Sequence, residues 1–111
     1  MAQTRARSGQ VVRLRPFGTA LAGARTQAVL KAAQLEVVRL VLQRGAGLPI
    51  HAAPGEITLL GLEGRVELGL PTHKVELGPG DFIHLAAGEP HALHALEAVS
   101  LLLTLRLATA D

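Results

Sequence analysis

The residues able to do chemistry are few, and they crowd into the second half of the chain. All five histidines, His51, His73, His84, His91 and His94, fall between residues 51 and 94. His51 follows Gly47-Leu48-Pro49-Ile50 and His91 follows Gly88-Glu89-Pro90, so each stands where a turn passes into a strand. Imidazole is the commonest transition-metal ligand and titrates near neutral pH. The cluster therefore points to a metal site, a general base, or hydrogen-bonding groups around a small ligand. Any one histidine taken alone reads as an imidazole satisfied by an ordinary hydrogen bond. Only convergence of several would make a site.

Competing chemistries are excluded more firmly. The chain has no cysteine, which removes disulfides, thiol nucleophiles, zinc knuckles and iron–sulfur sites. Serine occurs only at Ser8 and Ser100, with no G-x-S-x-G, so a serine hydrolase is not expected. No phosphate-binding loop or dinucleotide fingerprint is present. Glu56 and Glu63 flank turns and read as solvated acids. Glu89, beside Pro90 and His91, reads as an exposed loop acid, with orientation of His91 as its functional alternative.

The elements that must position these side chains come from one domain, because 111 residues are too few for two ordinary ones. Apolar residues make up 49% and charged residues 18%, a balance that excludes disorder and supplies a core. The only aromatic residues are Phe17 and Phe82, too few for a platform that stacks single-stranded nucleic acid. The net charge of +2 hides an asymmetry. Residues 1–35 carry six basic groups (Arg5, Arg7, Arg13, Arg15, Arg25, Lys31) and no acid, while residues 36–111 carry five basic and nine acidic groups. The body is mildly acidic, so a nucleic-acid partner is not expected, and the basic segment reads as a solvated arm. Residues 1–10 are expected to be flexible, with the domain running over 11–111. The longest uncharged apolar stretch, 98–105, is far short of the ~20 residues a spanning helix needs, so no membrane partner is expected. The leading segment lacks the apolar core of a secretory signal. With the Ala-, Leu- and Arg-rich, Asn-free composition, this leads to the expectation of a bacterial, cytoplasmic protein.

Val11–Arg15 alternates weakly and is a candidate first strand. Within residues 18–43, Leu21, Val29, Leu30, Ala33, Val37 and Leu40 approximate a helical stripe. Leu35–Leu42, however, is rich in β-branched residues and reads as a strand. Beyond residue 45, Gly and Pro cluster at 45–49, 54–55, 61–64, 69–71, 78–80 and 88–90. That spacing of about 8–10 residues is the cadence of an all-β sandwich or barrel. Gly64–Leu70 and Thr72–Leu77 alternate around a hairpin turn at 69–72, and 78–81 is a second tight turn. Phe82–Leu85 and Val99–Leu107 are apolar on both faces, as is much of Leu35–Leu42. Such strands need cover on both sides, and the expected second cover is another copy of the chain, giving a homodimer.

Two stretches resemble the paired motifs of the cupin superfamily, a jelly-roll fold. These are Gly45–Gly64 (GAGLPIHAAPGEITLLGLEG) and Gly80–Ala95 (GDFIHLAAGEPHALHA). The glycines at 45, 64, 80 and 88 and the histidines at 51 and 91 fit the family spacing. The resemblance spans roughly residues 35–107 and implies an antiparallel double-stranded β-helix with a pocket near His51 and His91. It also implies a site of three histidines and one glutamate, of which His51 and His91 match the first and last histidine. Ala53 stands at the second histidine position and Ile57 at the glutamate position, so half of the family's ligand set is missing. By strand parity Glu56 and His94 point away, whereas His84 shares a face with Phe82 and is assigned to the interior. The expected ligand-binding set is His51, His84, His91 and Phe82, within a mostly apolar lining that includes Leu59, Leu62, Leu68, Leu93 and Leu103. The resulting expectation is a small-molecule binding module without a resident cofactor. The alternative is a metal-dependent enzyme of dioxygenase, isomerase or decarboxylase type, holding Zn, Ni, Fe or Mn weakly at His51 and His91.

Overall fold

The computed structural model describes residues 6–107, and the first five residues of the expected arm lie outside this range. A 3-10 helix, Gly18–Gly23, precedes nine strands: β1 (Gln27–Lys31), β2 (Leu35–Leu42), β3 (Gly47–His51), β4 (Ile57–Glu63), β5 (Val66–Gly69), β6 (Lys74–Leu77), β7 (Phe82–Leu85), β8 (His91–Ala95) and β9 (Val99–Arg106). They form two antiparallel sheets, a five-stranded one ordered β1-β2-β9-β4-β7 and a four-stranded one ordered β3-β8-β5-β6. This is the all-β architecture read from the Gly/Pro cadence, in the jelly-roll form that the resemblance implies. Both turns fall where the sequence places them. The Leu70 amide donates to the His73 carbonyl at 2.8 Å, and the Asp81 amide to the Gly78 carbonyl at 3.1 Å. At Gly64 the backbone φ of +73° would strain any side chain, and a Cβ would run into the Ala98 carbonyl.

The core sits where the two sheets face each other. Leu42, Leu59 and Leu101 from the larger sheet meet Val66, Leu68, Leu77, Leu93 and Ala95 from the smaller. Fully burying one such leucine contributes about 1.5–3 kcal/mol. In the larger sheet the inward residues alternate cleanly, with Leu40 and Leu42 on β2, Ile57 and Leu59 on β4, and Leu101 and Leu103 on β9. Arg39, Thr58, Ser100 and Leu102 consequently face outward.

Three expectations change here. Val11–Arg15 forms no strand, and Val11 lies largely exposed; the first strand is instead Gln27–Lys31, paired with β2. The helical stripe at 18–43 reduces to one short 3-10 helix, because the β-branched run over 35–42 holds β1 in a sheet ladder. Glu63 is not a solvated acid. The register slips between Gly61 and Glu63, and this bulge turns Glu63 to the outer face. There it accepts from Arg39 Nη2 at 3.1 Å and from the amides of Phe17 and Gly18, both at 2.9 Å. Arg39 is 4% exposed. Its Nε donates to Ser100 Oγ at 2.9 Å, and its guanidinium lies 3.9 Å from the Phe17 ring centroid. The chain's own segment 17–24 thus covers one end of the outer face, where a second copy was expected.

Candidate functional site

The site is built by β3 and β8, which run antiparallel with His51 and His91 as direct partners. Leu48 also pairs into this ladder, opposite Leu93, and the register slips between Leu48 and His51. Three residues separate Leu48 from His51, so a regular strand would put them on opposite faces. The bulge at Pro49-Ile50 rephases β3, and both side chains reach the same interior cavity. On β8, His91, Leu93 and Ala95 face inward and His94 outward, as parity requires.

The two imidazoles lie 4.3 Å apart, centroid to centroid, at an interplanar angle of 56°. Each ring makes the same local contact. His51 Nδ1 donates to the Pro49 carbonyl at 2.9 Å, and His91 Nδ1 donates to the Glu89 carbonyl at 3.0 Å. In both cases the acceptor is the backbone oxygen two residues earlier. A carbonyl accepts only, so the proton sits on Nδ1 in both rings, and the neutral form carries a bare lone pair on Nε2. Glu89 therefore does orient His91, through its backbone rather than its carboxylate.

The cavity behind them measures about 260 Å³ and is bounded by Leu40, Leu48, Ala53, Ile57, Leu59, Leu93 and other aliphatic residues. Of the expected liners, Leu59, Leu93 and Leu103 are present, while Leu68 lies in the packed core. Leu62 and Phe82 do not line the cavity. Leu40 and Leu105, absent from the expected lining, follow from the same parity that places Leu42 and Leu103 inside.

His84 and Phe82 are corrected in position. They pair with Thr58 and Leu60 of β4, both on the outward face, so β7 turns them away from the cavity. Phe82 is 63% exposed. His84 Nε2 lies 2.8 Å from Glu56 Oε1 on the outer surface, in an open groove with Leu35, Thr58, Thr104 and Arg106. His73 sits exposed in the β5–β6 turn, where its Nδ1 lies 3.0 Å from the Thr72 hydroxyl.

Ala53 and Ile57, the residues that the resemblance sets at metal-ligand positions, both line the cavity. Its donor set is two imidazole nitrogens within an aliphatic wall. Tightly held transition ions take three or four protein donors, so these residues do not fit a resident metal of the family type. Among the described residues no group of three or more His, Cys, Asp or Glu is arranged around a common point. Nor is any helix among them long and apolar enough to cross a membrane.

The fold is similar to a conserved protein of unknown function from Streptococcus pyogenes, at 21% identity and a TM-score of 0.77, covering 99% of this chain and 100% of that one. A cupin superfamily protein from Desulfitobacterium hafniense is similar at 20% identity and a TM-score of 0.75, covering 93% of this chain and 100% of that one. A DMSP lyase from Ruegeria pomeroyi is similar at 22% identity and a TM-score of 0.65, over 78% of this chain and 47% of that one. At these identities the likeness speaks for the fold alone. No curated protein matches the sequence. The family model described as a cupin domain matches residues 38–105, a span that holds both histidines, the bulge that turns His51 inward and most of the cavity wall, and the chain belongs to the cupin family.

Proposed function

We propose that the protein is a small-molecule binding module whose ligand enters the sandwich past His51 and His91. The observation that carries this reading is an aliphatic cavity of about 260 Å³ with two convergent imidazoles as its polar groups. Binding sites for small organic ligands have this composition, an apolar wall with few polar groups that fix orientation. The protein acts as a homodimer in this reading. Segment 17–24 covers the Arg39 side of the larger sheet's outer face; from Arg39 the cross-strand row runs through the half-buried Leu102 and Leu60 to Phe82 on the edge strand β7, which is 63% exposed and open to a second copy.

Titration with a panel of one-ring compounds, followed by amide NMR, tests the reading. Saturable shifts are expected at His51, Ala53, Ile57 and His91. Shifts confined to the outer groove of Glu56 and His84, or none in the panel, would overturn it.

A further inference from the structure

The two histidines do more than mark the cavity; their hydrogen bonds set its polarity. Each Nδ1 is engaged by a carbonyl two residues upstream, which leaves each ring one nitrogen for a ligand. His91 is only 4% exposed and makes no second hydrogen bond, yet among the described residues no buried side-chain nitrogen or oxygen lacks a partner. Its Nε2 therefore reaches open space; the ring stands between the aliphatic cavity and a second, outer groove with Ile50, Leu70 and Pro90, and the contact with the His51 ring at 4.3 Å is on the cavity side that both imidazoles share. His51 repeats the arrangement at the rim, on the paired strand. In the neutral state, the polar groups offered to a ligand are two acceptors and no donor.

That fixes the chemical class. A buried acceptor facing an acceptor leaves both unsatisfied, and an ionised carboxylate in an aliphatic cavity is worse still. A hydroxyl or amine N–H satisfies the lone pair. Size narrows the class further. An aliphatic cavity of about 150 Å³ takes benzene, so one of about 260 Å³ takes roughly ten non-hydrogen atoms. We infer that the cavity selects compact, mostly apolar alcohols, phenols or amines of about one ring, holding their donor at the Nε2 atoms of His51 and His91, and rejects carboxylates of the same shape. The inference rests on the binding-module reading above and goes beyond it by naming the ligand class.

The test uses three probes of matched shape, 4-ethylphenol, its methyl ether 4-ethylanisole, and 4-ethylbenzoate. All are titrated into the full-length chain at pH 8.0 with EDTA present, so that adventitious metal contributes nothing. The phenol is expected to bind about tenfold more tightly than the ether, the equivalent of one good hydrogen bond. The benzoate is expected to give no saturable shift. His51→Ala removes an exposed ring at the rim and is expected to bring the phenol down toward the ether. Long-range 15N NMR of the imidazoles gives a readout free of any ligand, with both rings expected as the Nδ1–H tautomer.

Equal binding of phenol and ether would overturn the inference while leaving the cavity as a binding site. Preferential binding of benzoate, or an Nε2–H tautomer in either ring, would overturn it as well. Failure of all three probes to move the cavity resonances would overturn the inference and the binding-module reading together.

Discussion

Two histidine pairings lie on opposite sides of the same sandwich. Inside, His51 and His91 touch through their rings, each tied to a backbone carbonyl. Outside, His84 meets Glu56 at 2.8 Å, with both side chains about half exposed. By geometry alone the outer pair is the better-formed acid–base couple. Solvent makes it the weaker feature, because an exposed pair of this kind contributes little, about 0–1 kcal/mol. The inner pair has no charge partner, yet His91 is buried in an aliphatic wall where a polar group must be satisfied, with the exposed His51 at its rim. The two locations differ by a single step along the chain. Glu56 faces out and Ile57 faces in. A carboxylate one residue later would stand against the imidazoles.

The strongest way to break this inside–outside contrast is at the one place where the outer face is buried. Arg39 and Glu63 form an ion pair that water does not reach well, and Glu63 also satisfies the amides of Phe17 and Gly18. Glu63→Ala leaves a buried guanidinium and two amides without their acceptor. The expected loss is about 3–5 kcal/mol, read by urea denaturation, a large fraction of the stability of a small domain. Replacing both partners with aliphatic residues is expected to recover most of it. A loss below about 1 kcal/mol for Glu63→Ala would place this pair in the same class as His84–Glu56.

Much of this was legible in the sequence, and what was not has two physical sources. The Gly/Pro cadence and the alternating strands depend on local chemistry, so an all-β fold, both tight turns and the inward face of β8 could be read directly, while the jelly roll came from the resemblance of Gly45–Gly64 and Gly80–Ala95 to the cupin motifs. His51 and His91 were legible because turn residues precede each one. Glu63, past the slip in β4, was not. Glu63 reads as a turn acid because nothing local announces the slip at Gly61 that turns it outward. His84 was misplaced for the other reason. Parity states which residues share a face but not which face is the core, and the apolar Phe82 suggested the wrong one. In the structure Leu85 and the partly buried Ile83 carry the inward side, and Phe82 stands out in solvent. The cover supplied by segment 17–24 is a long-range contact with no periodic signature of its own.

A second test moves chemistry across the sheet. Ala53→His with Ile57→Glu adds two donors to a cavity that already holds two imidazoles. Zn2+ affinity is expected to rise at least a hundredfold, about 2.8 kcal/mol, by isothermal titration at pH 7.5. The metal-free double variant is expected to be less stable than the parent, because its new carboxylate is buried without a partner. Ala53→His with Thr58→Glu is the matched control, since Thr58 faces outward beside His84. It is expected to gain far less. Equal gains in the two variants would mean that the face of the sheet does not decide the donor set. Tight Zn2+ binding by the unmodified chain would mean that a native group completes the site.

The smallest expected effect on the cavity comes from the β7 edge of the outer face, where the exposed Phe82 ends the row of Leu60 and Leu102. The proposed dimer covers this row, so light scattering at micromolar concentration is expected to give about twice the 11.6 kDa chain mass. Phe82→Glu would place carboxylates of two copies in a contact that must be desolvated, which suppresses association. The variant is expected to run as a single chain. Binding of 4-ethylphenol is expected to change less than twofold, because β7 turns residue 82 away from the wall that holds His51 and His91. A monomeric parent would refute the dimer and leave the cavity reading standing. A monomeric variant that also loses the phenol would couple the two faces, and the inner site would then have to be described in the dimer rather than in one sandwich.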